Sequence, residues 1–205
     1  MPSKSRRTLK GNVPDAHPVA LLLVDVINEM SFEQGGRLAR YALPKARNIA
    51  RLARKAREAG VPVVYANDNF GRWRSDFREV IAQATEADKP GAAIARMLAP
   101  EPDDYFVLKP HHSAFYHTPL DTLLRYLGTR RLVITGFAGD VCVFFTAHDG
   151  YLREFELNVP SDCVASVDQK ENRHALAYMR RVLDVDTTPS GRLDIARLAR
   201  RDSRH

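Results

Sequence analysis

Three side chains able to take part in nucleophilic chemistry, Asp25, Lys109 and Cys142, stand at or just beyond the ends of short apolar runs. Runs of that length and composition read as buried strands. A thiol is a poor nucleophile at neutral pH until it loses its proton. Asp25 could take that proton, Lys109 would favour the anion, and a helix starting after the fourth run would add the positive end of its dipole. The expectation is a Cys142 thiolate near neutral pH. Each residue alone has an ordinary reading: Cys142 as a small buried apolar group, Asp25 as a cap or turn residue, Lys109 as a solvated strand end. Their shared position at one predicted rim of a sheet, where open parallel sheets bind ligands, favours the catalytic reading. Cys163 has no such company and reads as a buried apolar residue.

The elements that must position these residues follow from the pattern of the chain. Short apolar runs at 19–25, 61–67, 104–109, 131–137, 155–160 and 182–186 alternate with longer amphipathic stretches. That alternation predicts an α/β fold, a six-stranded, mainly parallel sheet covered by helices on both faces. The clearest helix runs over 43–59, with Ala46, Ile49, Ala50, Leu52 and Ala53 on one face and Gly60 as its stop. Weaker helical patterns cover 76–86, 92–98, 120–127, 141–152 and 169–181. Residues 1–18, basic and broken by Pro2, Pro14 and Pro18, read as a flexible arm, 19–190 as a single domain, and 191–205 as a basic tail.

Composition narrows the class. A chain of 205 residues that is 44% hydrophobic supports one substantial core. It has two cysteines, no signal-peptide pattern, and an apolar run at 19–24 too short to span a membrane, so a reducing, cytoplasmic location is expected, with no membrane partner. The net charge is +6, but residues 1–10 carry four cations and no acid, and residues 197–205 four arginines and one acid. The stretch between them is close to neutral, so a nucleic-acid partner is not expected.

Three segments, taken together and in order, resemble the isochorismatase-like cysteine hydrolases, the superfamily that includes nicotinamidases, carbamoylsarcosine amidases and ureidoacrylate amidohydrolases. They are Leu21-Leu22-Leu23-Val24-Asp25-Val26-Ile27-Asn28, Lys109-Pro110-His111-His112-Ser113-Ala114-Phe115, and Thr135-Gly136-Phe137-Ala138-Gly139-Asp140-Val141-Cys142-Val143. The resemblance implies a three-layer α/β/α sandwich with Asp25 as general base, Lys109 as the charge that tunes the pair and Cys142 as the attacking thiolate. It also implies an oxyanion hole made by the backbone N–H groups of Ala138 and Cys142, and a cis peptide between Phe137 and Ala138.

Departures from the family pattern refine the expectation. Nicotinamidases hold a metal through Asp-x-His and further histidines after the second strand, whereas residues 67–74 here contain no histidine. Asp68 alone cannot supply a zinc ligand set, so no metal and no cofactor are expected. Adjacent histidines usually point in different directions, which disfavours a metal at His111 and His112. Ile27 stands where many members carry Gln, which leaves the substrate contacts near the base open. Retention of Cys142 favours cleavage of an amide-type C–N bond through a thioester over the alternatives, a vinyl ether hydrolase or a catalytically inactive binding or scaffold protein. Phe70, Trp73 and Phe137 are the expected substrate contacts, with Arg72 or Arg74 available for a carboxylate, and Phe115 is expected to pack behind the site. The expected partners are a small-molecule substrate and further copies of the chain in a homo-oligomer.

Overall fold

The computed structural model describes residues 16–71 and 76–201. Strands β1 (Val19–Val24), β2 (Val63–Asp68), β3 (Tyr105–Lys109), β4 (Arg131–Phe137), β5 (Glu156–Asn158) and β6 (Val164–Ala165) form one sheet. Its order is β3-β2-β1-β4-β5, every pairing is parallel, and β6 continues the outer edge of β4 beyond β5. Helices α1 (Gly35–Glu58), α2 (Phe77–Ala84), α3 (Ala92–Met97) and α7 (Ile195–Arg201) cover one face, and α4 (Leu120–Leu127), α5 (Cys142–Leu152) and α6 (Gln169–Val182) the other.

Alternation along β1 explains the two cores. Val19, Leu21 and Leu23 pack with α1, whereas Ala20, Leu22 and Val24 pack with α4, α5 and α6. All six residues are buried, as expected for a central strand covered on both sides. The order reverses between β1 and β4, the crevice where such sheets bind ligands. Among the described residues no helix is long and apolar enough to cross a membrane.

Three sequence expectations need correction. The sixth strand is β6, not 182–186: α6 runs on to Val182, and only Asp186 returns to the sheet, bridging Asn158. Helix α1 begins eight residues before the predicted start at 43, because its buried line Gly35, Leu38, Ala42, Ala46, Ile49 continues upstream; Pro44 lies on the exposed face, where its missing N–H is cheapest. Residues 191–201 are not a tail: Leu193, Ile195 and Leu198 are buried against the α1 side of the core, while 202–205 fall outside the described residues. At the other end, 1–15 fall outside the description, whereas 16–18 of the expected arm are tied down. His17 donates its N–H to Leu127 O, and Pro18 O accepts from Arg130 and Arg131.

The exposed face of α1 carries Arg37, Arg40, Arg47, Arg51 and Arg54 in one line, so the near-neutral middle of the chain is neutral only in sum.

Gly136 holds the two central strands at their closest approach. It pairs with Val24, has a φ of 134°, and a Cβ there would lie 2.0 Å from Val24 O. Backbone cannot move aside as a flexible side chain can. Gly136→Ala is therefore expected to destabilise the protein by at least about 2 kcal/mol, read as a lowered urea midpoint with an unchanged slope.

Candidate active site

Strand register brings the first three groups together. Val24 pairs with Ala66 on one side and Gly136 on the other, and Asp68 pairs with Lys109. A continued strand would turn residue 25 toward α1, with Leu21 and Leu23. The left-handed φ of 54° at Asp25 ends that alternation. Its carboxylate instead lies 2.8 Å from Lys109 Nζ through Oδ2, and its Oδ1 accepts the Asp68 N–H at 2.8 Å. Lys109 Nζ stands 3.7 Å from Cys142 Sγ and also donates to His111 O at 3.2 Å. Asp25 is 5% exposed, Lys109 0% and Cys142 8%, so the predicted triad converges in a nearly water-free crevice.

Burial decides the protonation states. It pushes the Asp25 carboxyl up, and the nearby Lys109 ammonium opposes this without cancelling it. Burial also works against the charge on Lys109, but Asp25, Cys142 and Asp68 outweigh it and hold the ammonium above the ordinary lysine value. The Cys142 thiol is pushed up first by burial and then by the Asp25 charge, with Lys109 acting the other way. These directions favour a thiol beside an Asp25–Lys109 ion pair at rest over the expected thiolate. A proton passing from Cys142 to Asp25 leaves the total charge of the crevice unchanged, and a carboxylate with a raised pKa is the better acceptor.

One side of the site is built by the β4–α5 turn. Ala138 has a φ of 53°, and among the described residues neither its N–H nor that of Cys142 has a protein acceptor. Two unpaired donors at the entry to a helix suit a developing oxyanion. The turn is clamped from behind: Gly139 N–H donates to Ala165 O, Asp140 N–H to Ser166 Oγ, and Ser166 Oγ to Asn172 Oδ1. The expected cis bond between Phe137 and Ala138 is also corrected. Among the described residues no peptide bond is cis, and the change of direction is taken up by the positive φ at Gly136 and Ala138.

The substrate-contact expectations divide. Phe70 is 43% exposed, and its N–H donates to Asp68 Oδ1 at 2.6 Å, which ties its backbone to the Lys109 side of the site. Trp73, Arg72 and Arg74 lie outside the described residues. Phe137 is corrected to a core residue: it is 1% exposed and packs on the α1 side with Val133, its alternation partner in β4. Ile27 is fully buried in that same core, so the departure at this position concerns packing. Phe115 is buried and stacked on Phe155 at 5.9 Å, in its expected supporting place.

Two residues complete the site that the sequence did not single out for it. Asp68 Oδ2 lies 3.6 Å from Lys109 Nζ, a second carboxylate on the same ammonium. His112 places Nδ1 3.9 Å from Cys142 Sγ, while the neighbouring His111 ring turns away onto Tyr116. Among the described residues no group of three or more His, Cys, Asp or Glu side chains is placed to hold a metal ion.

Residues 19–190 match the family model described as an isochorismatase domain. The chain is 41% identical over 169 residues to the uncharacterized isochorismatase family protein YaaI of Bacillus subtilis, covering 82% of this chain and 92% of that protein. It is 34% identical over 166 residues to the ureidoacrylate amidohydrolase RutB of Methylorubrum extorquens, covering 69% and 67% of the two chains. Its fold is similar to that of N-carbamoylsarcosine amidase from Thermoplasma acidophilum, with a TM-score of 0.67 at 26% identity, over 86% of this chain and 98% of that one.

Proposed function

Because the chain belongs to the isochorismatase family and has amidohydrolases among its relatives, we propose that it is a cysteine amidohydrolase for a small ureido or N-carbamoyl compound. The observation that carries this reading is the position of Lys109 Nζ 2.8 Å from Asp25 and 3.7 Å from Cys142 Sγ, beside the unpaired N–H groups of Ala138 and Cys142. The substrate class draws support from the ureido group in the name of one relative and the N-carbamoyl group in the name of the other.

The geometry supports the following steps. Asp25 accepts the thiol proton as Sγ attacks the carbonyl carbon, and the oxyanion forms against the two N–H groups. The amine or ammonia leaves, giving a thioester on Cys142, which water then hydrolyses. Lys109 keeps Asp25 ionised before the attack and balances the sulfur charge during it. No metal enters this scheme, because the N–H pair does the polarising work and Asp68 is engaged by Lys109 and Phe70. A free thiol with this duty favours a reducing compartment, the cytoplasm.

Rapid quenching with a panel of ureido and N-carbamoyl acids, followed by intact-mass and peptide analysis, tests the reading. An acyl adduct on Cys142 is expected within the first turnover, together with released ammonia or amine. Steady turnover that survives alkylation of Cys142 would refute it; the second thiol, Cys163, is fully buried and will not confuse the labelling.

A further inference from the structure

We infer that His112 is a further catalytic residue, the proton donor to the leaving nitrogen, and this rests on the amidohydrolase reading above. Its Nδ1 lies 3.9 Å from Cys142 Sγ, which puts the imidazole within reach of a group on a carbon bonded to that sulfur. The two acid–base groups flank the sulfur in different surroundings. Asp25 is buried, with one oxygen facing Lys109 and the other held by the Asp68 N–H. His112 is exposed, open to the solvent that a departing amine must reach.

The imidazole is also held in place, as a proton donor must be. Its ring stacks on Phe145 with centroids 5.7 Å apart and an interplanar angle of 24°. The loop that carries it is fastened to α5 at two points: Ser113 Oγ donates to Asp149 Oδ2 at 2.5 Å, and the Ala114 N–H to Thr146 Oγ1 at 3.0 Å. Phe145, Thr146 and Asp149 all belong to α5, the helix that begins with Cys142. Nucleophile and donor are thus referenced to one rigid element, and the Lys109 bond to His111 O steadies the preceding peptide.

The steps balance without an outside reagent. Sγ bonds to the carbonyl carbon as its proton passes to Asp25. The C–N bond then breaks, its electron pair stays on nitrogen, and that nitrogen takes a proton from the His112 imidazolium. Neutral His112 next removes a proton from the water that attacks the thioester. When the C–S bond breaks, sulfur recovers its proton from Asp25, and both residues return to their starting states.

Two probes with the same carbamoyl group and different leaving atoms test this. 4-Nitrophenylurea must lose an arylamine, which needs a proton; 4-nitrophenyl carbamate loses an aryloxide, which does not. In single-turnover measurements of Cys142 carbamoylation, His112→Gln is expected to react about 100-fold more slowly with the urea but within about threefold of wild type with the carbamate. Its unfolding midpoint should match the wild type, since His112 is exposed. Equal loss on both probes, or no loss on either, overturns the assignment to His112. Wild-type carbamoylation by the carbamate alone overturns it too, while keeping Cys142 as nucleophile. If neither probe modifies wild-type Cys142, the amidohydrolase reading fails, and this inference with it.

Discussion

Replacing Cys142 with alanine is expected to lower turnover by at least about 10⁴-fold, because the proposed two-step reaction would lose its covalent intermediate and the remaining donors would act on bound substrate alone. Folding should survive. Sγ is one atom at the edge of the α5 core, and a buried cysteine packs as a small apolar group. Calorimetry should therefore find substrate affinity retained while product formation vanishes, and the adduct on residue 142 should be lost. Cys142→Ser makes the complementary case, since a hydroxyl keeps the shape but yields its proton to Asp25 far less readily. Wild-type rates in Cys142→Ala would remove the thioester from the mechanism.

Lys109→Met should have the largest effect on stability. The methionine fills most of the space, but Asp25 is left buried without its counter-ion, a loss expected to cost about 3–5 kcal/mol. The sign of its pH dependence is fixed. Asp25 already titrates above the ordinary carboxylate value, and removing Lys109 sends it higher. For an acid whose folded pKa exceeds its unfolded one, the folded state binds more protons between the two values, so stability falls as pH rises through that window. The variant's deficit against wild type should therefore be smaller near pH 4 than near pH 8 in denaturant titrations. Adding Asp25→Asn should return much of the stability and none of the activity. A deficit that stays constant with pH would show that packing around the substituted side chain, not the unpaired carboxylate, sets the cost.

The sequence carried the parts of this molecule that depend on short-range pattern. The run ending at Asp25, the strand ending at Lys109 and helix α4 lie where the pattern puts them, because one buried strand or one amphipathic helix announces itself locally. Pairs and lengths across the chain were less legible. Strand β6 is two residues long, too short for any period, whereas 182–186 has a strand-like composition but closes a helix. Helix α7 was masked by its arginines, although Leu193, Ile195 and Leu198 supply a buried line.

In the site, Asp68 meets Lys109 through the β2–β3 register, which no local window reports. The direction of His112 is a loop property of the same kind. Phe137 is different: alternation from Val133 already pointed it into the α1 core. The upward push on the Cys142 thiol depends on three polar groups sharing one buried crevice, a fact of burial and not of spacing.

The loop that follows Asp25 is held on several sides. A Cβ on Gly35 would come within 1.8 Å of Met30 O and one on Gly91 within 1.9 Å of Asn28 O, so both helix starts rest directly on its backbone. Asn67 Nδ2 donates to Ile27 O and Gly91 N–H to Glu29 O. Adaptation to an incoming molecule therefore cannot come from the base. One wall of the crevice is a fixed gauge, and ligands that differ in shape must be sorted by fit against it, with any induced fit confined to the opposite side.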